Sequence, residues 1–195
     1  MQGVQCRGYA GDLRKLDEAE SFIGKVLQDF DNVELLVNSA ANFIQENIEQ
    51  TRLETLVDTL NLNLMAPYLL MREYRRKVNK GLIVNILDER VARTVPTFAV
   101  YSVSKVALQH LTELAAVEWG ESVRVNGIAP GLILPPQGAP PDYLEKAAKN
   151  VPTRTHGNMN DLLKALDYLM ENQFVNGETL FVDGGARRTA AGESL

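Results

Sequence analysis

One cysteine, Cys6, is all the chain has. No internal disulfide can form, a reducing compartment fits, and the thiol reads as packing rather than chemistry. Histidine is nearly as rare: His110 and His156 stand apart from any cysteine partner, which argues against a zinc site. No stretch approaches the roughly 18 apolar residues of a membrane span, and the first residues lack the charged-then-apolar order of a secretory signal. A cytoplasmic protein with no membrane contact is the expectation. Positive charge is also short. Twenty Lys and Arg against 25 Asp and Glu leave a net charge of −5 and a pI near 5.1, so nucleic acid and anionic surfaces are not expected partners. The one basic cluster, Arg72, Arg75, Arg76, Lys77 and Lys80, falls late in a helical pattern, where cations offset the macrodipole.

With 195 residues, 45% of them hydrophobic, the chain can bury one sizeable core, and a single domain is expected. A short strand at 4–8 precedes an apolar stripe at helical spacing, Phe22, Ile23, Val26, Leu27 and Phe30, on a helix from Asp17 to Phe30. Val33 to Asn38 reads as the next strand. A long helix over Ile48 to Val78 follows, bent at Pro67. Then come a strand at 81–87, a helix at 101–118, a strand at 122–128, a proline-rich loop with a short helix at Asp142 to Lys149, a helix at 160–171 and a strand near 178–182. The tail after Gly185 reads as frayed. Strands alternating with helices indicate an α/β fold on a parallel sheet.

The chemistry concentrates in one segment. Gly81-Leu-Ile-Val-Asn-Ile-Leu-Asp88 is an apolar run ending in a carboxylate, as in a strand buried on both faces. In open parallel sheets, ligands gather at the carboxyl ends of strands, and Asp88 sits at that end. Thirteen residues later, Tyr101-Ser-Val-Ser-Lys105 opens a helix. Positions i and i+4 share a helix face, so Lys105 is expected near the phenol of Tyr101. A cation there favours phenolate and lowers the tyrosine pKa, which suits proton exchange near neutral pH. An alternative stays open, in which Asp88, Glu89 and Arg90 form an ion-paired loop cluster.

At this point the sequence resembles the short-chain dehydrogenases/reductases, and within them the pteridine reductases and dihydromonapterin reductases. That branch has an aspartate thirteen residues before the tyrosine where most of the superfamily has serine, and Asn85-Ile-Leu-Asp88 matches it. Leu36-Val-Asn-Ser-Ala40, Asn63-Leu-Met-Ala-Pro67, Arg124-Val-Asn-Gly-Ile-Ala-Pro-Gly131 and Val182-Asp-Gly-Gly185 follow the family in order. The resemblance implies a Rossmann-like three-layer α/β/α fold and reduction of a pterin or dihydrofolate-type substrate by NADPH. It further implies that Tyr101 donates the proton, that Lys105 tunes it and holds the nicotinamide ribose, and that Asn63 anchors a water leading to Lys105. A structural role for Asn63, bonding backbone beside a kink at Pro67, stays open. Asp12 and Leu13 match the adenine-contacting pair. Asn38, Ser39, Ala40, Pro130, Gly131 and Leu132 match other cofactor-binding positions. Asp88 and Tyr101 face substrate, and Phe43 matches the phenylalanine that stacks on the pterin, unless it merely caps the core. Family members associate as dimers or tetramers, which is the expectation for this chain as well.

One family element has no counterpart: no strand is followed by the glycine-rich turn that cradles the cofactor pyrophosphate. The nearest glycines, Gly8-Tyr-Ala-Gly11, precede Asp12-Leu13 instead. The chain therefore reads as an N-terminally truncated member, lacking the family's first two strands. Its fourth strand, at Val33 to Asn38, becomes an exposed apolar edge, and the first segment is expected to move or to need a partner. Two other readings stay open beside the pterin reductase: an inactive reductase kept as a folded interaction module or relic, and a short-chain oxidoreductase for a carbonyl or alcohol.

Overall fold

The computed structural model describes residues 4–136 and 138–189. Four parallel strands form one sheet in the order β1 (Leu35–Asn38), β2 (Gly81–Ile86), β3 (Val123–Pro130), β4 (Thr179–Val182). Register is continuous, with Leu36 opposite Ile83, Val84 opposite Asn126 and Ala129 opposite Phe181. The helices are α1 (Leu16–Val26), α2 (Leu53–Leu60), α3 (Ala66–Lys77), α4 (Ala99–Trp119), α5 (Tyr143–Ala148) and α6 (Met159–Glu171).

Alternation along the strands decides which helix each face meets. Ile83, Val123 and Val125 pack against Ile23 of α1, Leu70, Met71 and Tyr74 of α3, and Ala115 and Ala116 of α4. Leu82, Val84 and Ile128 point the other way and meet Leu162, Ala165, Leu166 and Leu169 of α6. The sheet is thus covered on both faces, which explains the unbroken apolar run of β2. A polar chain threads this core: Asn38 Nδ2 donates to Asn85 Oδ1 at 2.8 Å, and Asn85 Nδ2 donates to Thr112 Oγ1 at 2.8 Å. Gly81 has φ +124°, and a Cβ there would lie 2.4 Å from the Glu34 carbonyl oxygen. Glycine is required at that strand start.

Several expectations are corrected. Residues 4–8 form no strand; with no ladder partner, an isolated extended segment gains no backbone hydrogen bonds. The segment is tied instead by side chains further on, Tyr9 donating to Asp29 at 2.6 Å and meeting the ring of Phe22 edge-on. Cys6 is exposed rather than packed. Among the described residues β1 has one strand neighbour, β2, which leaves the expected open edge. The long helix starts at Leu53, five residues later than expected, and carries a π-turn at Asn61–Met65 between α2 and α3. Pro67 explains the turn, because it has no N–H to offer the carbonyl four residues back. The tail read as frayed begins with a 3₁₀ turn at Ala186–Arg188 that buries Ala186; residues beyond 189 lie outside the described residues. Arg72, Arg76 and Lys77 gather around the buried carboxylate of Glu73 rather than facing only water. Among the described residues no helix is long and apolar enough to cross a membrane.

Candidate active site

All four strands run the same way, so β1, β2 and β3 deliver Asn38, Asp88 and Pro130 to one edge of the sheet. Helix α4 begins at that edge and carries Tyr101 and Lys105 one turn apart, both buried. The Tyr101 hydroxyl donates to Asp88 Oδ2 at 2.8 Å. Asp88 Oδ1 accepts from the Arg90 N–H at 2.8 Å, and the Arg90 Nη1 lies 3.3 and 3.4 Å from the two carboxylate oxygens. Asp88 therefore joins the phenol and also pairs with Arg90, while Glu89 pairs with Arg93 instead.

The expected electrostatics are reversed. Burial raises the Tyr101 pKa well above the ordinary tyrosine value, and the Asp88 charge and hydrogen bond raise it further. The charge that opposes this rise is that of Arg90. Lys105 Nζ sits 5.8 Å from the Tyr101 ring centroid and donates to the Ile86 carbonyl at 2.7 Å. Burial pushes the Lys105 pKa down to about 8, with Asp88 pulling the other way.

Asn63 is fully buried in the π-turn. Its Oδ1 accepts from the Asn42 N–H at 3.0 Å, and its Nδ2 donates to the Asn42 carbonyl at 3.2 Å and to Ser104 Oγ at 3.1 Å. The side chain spends its donors and an acceptor on protein, pinning the loop after β1 to α4. These bonds to the Asn42 backbone are the structural role expected of an asparagine beside Pro67. Phe43, on the pinned loop, is 47% exposed. Its ring stacks on Phe98 at 4.4 Å and meets Tyr101 at a right angle at 4.7 Å.

The remaining residues divide. Ser39 and Ala40 follow β1 exposed at the same edge, and Asn38 keeps a buried Oδ1 without a hydrogen-bond partner. Pro130 ends β3, the Gly131 N–H donates to the Val182 carbonyl, and Leu132 lines a cavity of about 330 Å³ with Thr153, His156 and Asp183. Asp12 stands apart: both its oxygens accept from Arg14, at 2.9–3.0 Å, and Leu13 packs on the core around Ile23. Phe98 escaped the sequence reading, since a lone aromatic in a loop has no periodicity to reveal it. Its position three residues before Tyr101 was the available signal. Among the described residues no cluster of His, Cys, Asp or Glu suits a metal.

A parallel sheet with a buried tyrosine and lysine one turn apart at its carboxyl edge, facing an acid at the end of β2, defines a short-chain oxidoreductase. The chain belongs to that superfamily: residues 2–187 match the family model described as Enoyl-(Acyl carrier protein) reductase. Dihydromonapterin reductase of Escherichia coli is 26% identical over 94% of this chain and 78% of its own length. Gluconate 5-dehydrogenase of Gluconobacter oxydans is 25% identical over 94% and 76%. The solved FolM alternative dihydrofolate reductase 1 of Brucella canis, complexed with NADP, superposes with a TM-score of 0.86 at 26% identity, covering 93% of this chain and 73% of that one.

Proposed function

We propose that this chain is a reductase for a pterin or dihydrofolate-type substrate, with NADPH as hydride source. The observation that carries the reading is the Tyr101 hydroxyl held 2.8 Å from Asp88 beside the ring of Phe43. A raised phenol pKa keeps Tyr101 protonated at neutral pH, so it enters the reaction as a donor. Asp88 accepts that proton's hydrogen bond in the free protein. A substrate ring nitrogen beside the phenol takes the proton instead, and the freed carboxylate accepts from the N–H and exocyclic amine of a pterin. A carbonyl substrate offers no such donors, which is why the acid at this place favours the heterocycle. Phe43 supplies an aromatic face for offset stacking. Names such as dihydromonapterin reductase and alternative dihydrofolate reductase among the relatives support the same substrate class.

The residues at the carboxyl edge fit the nicotinamide-ribose end of NADP: Tyr101 and Lys105 offer donors, and Asn38 Oδ1 is an orphaned buried acceptor. When bound, the cofactor supplies hydride; every proton comes from the chain. The pyrophosphate end fits poorly. Among the described residues no strand runs into a glycine-rich turn and helix N-terminus that would offer N–H groups to phosphate. This mismatch favours a second reading, a folded interaction module without turnover.

Titration of NADPH into the purified chain, followed by nicotinamide fluorescence and thermal melting, separates the two, because a ligand of the native state raises its melting temperature. Saturable binding and dihydropterin reduction are expected, with Tyr101→Phe lowering kcat by about 10²-fold or more. A cooperative melt without binding up to millimolar NADPH overturns the enzyme reading. Self-association is proposed through the face of α3 and α4, where a groove of about 470 Å³ is lined by Tyr68, Met71, Leu111, Leu114 and Trp119.

A further inference from the structure

Phe98 carries an inference that rests on the pterin reading and narrows it. Phe43 lies against two rings. One is Tyr101, buried, on a 21-residue helix and tied to Asp88. The other is Phe98, whose ring is nearly parallel to Phe43, with centroids 4.4 Å apart and planes 19° off. Phe98 ends a single 3₁₀ turn, Pro96–Phe98, which follows extended Val95, and its side chain belongs to none of the buried core clusters among the described residues. The Arg90 guanidinium is 5.1 Å from the Phe43 centroid and 4.9 Å from that of Phe98. Being about equally far from both, it flanks the stacked pair instead of lying on the outer face of either ring. Its Nε is buried with no hydrogen-bond partner.

We infer that Phe98 is a specificity-determining residue that holds the place of a planar ligand: its ring occupies the stacking face of Phe43, and a flat heteroaromatic substrate takes that face by displacing it. Of the two rings on Phe43, only Phe98 is free to yield, since moving Tyr101 breaks the Asp88 hydrogen bond and the start of α4. The flanking Arg90 then meets the rim of the incoming ring, where its unpaired N–H finds an acceptor. A puckered ligand such as a sugar acid gains nothing from the exchange, because it has no face to stack. The intramolecular stack therefore lowers apparent affinity for flat ligands, which need the Phe43 face, and leaves puckered ones, which do not take it, unaffected.

The test uses oxidised biopterin, whose own fluorescence is quenched by stacking, titrated into the full chain with and without NADP. Phe98→Ala is expected to tighten biopterin about two- to tenfold, the worth of one aromatic stack. Phe98→Leu, which keeps apolar bulk, should act in the same direction, with an unchanged melt showing that the fold is intact. Gluconate, followed by thermal shift, should not gain from either variant. Wild-type binding of biopterin that stays equal or weakens in both Phe98 variants overturns the inference and leaves the pterin reading standing. Absence of biopterin binding in the wild type and both variants overturns the pterin reading and this inference with it.

Discussion

Asp88 has two partners with opposite effects on the site. It holds the Tyr101 proton and is itself held by Arg90. Replacing it by Asn keeps the shape and removes the charge, so the phenol loses its second-largest upward push. Asp88→Asn should move one of the six tyrosines to an earlier midpoint in an ultraviolet alkaline titration; an unchanged curve would show that burial alone sets the phenol. Lys105 gives a stability signature. Its folded pKa, about 8, lies below the ordinary 10.5, so between these values the unfolded chain binds more protons. Stability then rises with pH through that window, by at most about 3 kcal/mol. Lys105→Met should flatten the rise in denaturant melts taken across it. Tyr101 contributes oppositely above its ordinary pKa, where the folded state keeps the proton longer. Tyr101, Lys105 and Asp88 were legible in the sequence because spacing on a helix and the end of an apolar strand are local facts. The sign of the tyrosine shift was not, since burial and the aim of Lys105 toward Ile86 depend on packing across the chain.

At the scale of elements, the strands from β1 onward and all the helices were readable to within a few residues, except that the long helix starts late. Their apolar periodicity reflects which face is buried. The π-turn was not readable: Pro67 signals a missing hydrogen bond, but whether a helix bends or widens there depends on what Asn63 can reach in α4 and the loop after β1. The failed strand at 4–8 has the same cause in reverse, since composition suits a strand and only a partner makes one. Gly81 is the element boundary most sensitive to change. Gly81→Ala forces a Cβ against the Glu34 carbonyl and the Tyr74 hydroxyl, and should cost about 2–3 kcal/mol in a urea melt. A melt matching the wild type would mean that β2 can shift its start without loss.

The whole molecule has apolar surface left over where α3 and α4 lie side by side. Val117, Leu114 and Tyr68 are exposed there, and a patch of this kind marks an interaction face. Leu114→Glu should shift an assembled species toward monomer in light scattering while leaving the melt of the monomer intact; no shift at any concentration would remove this face from consideration. The cover of the sheet is also unequal. Among the described residues three helices, α1, α3 and α4, share one face, and α6 is the one helix that packs on the other. Local opening costs least where the fewest apolar contacts are lost. The fold therefore has a weak side: α6 is expected to open while the Ile83 face stays closed, so amide hydrogens on α6 should exchange through a partial opening and those of β2 only when the whole chain unfolds.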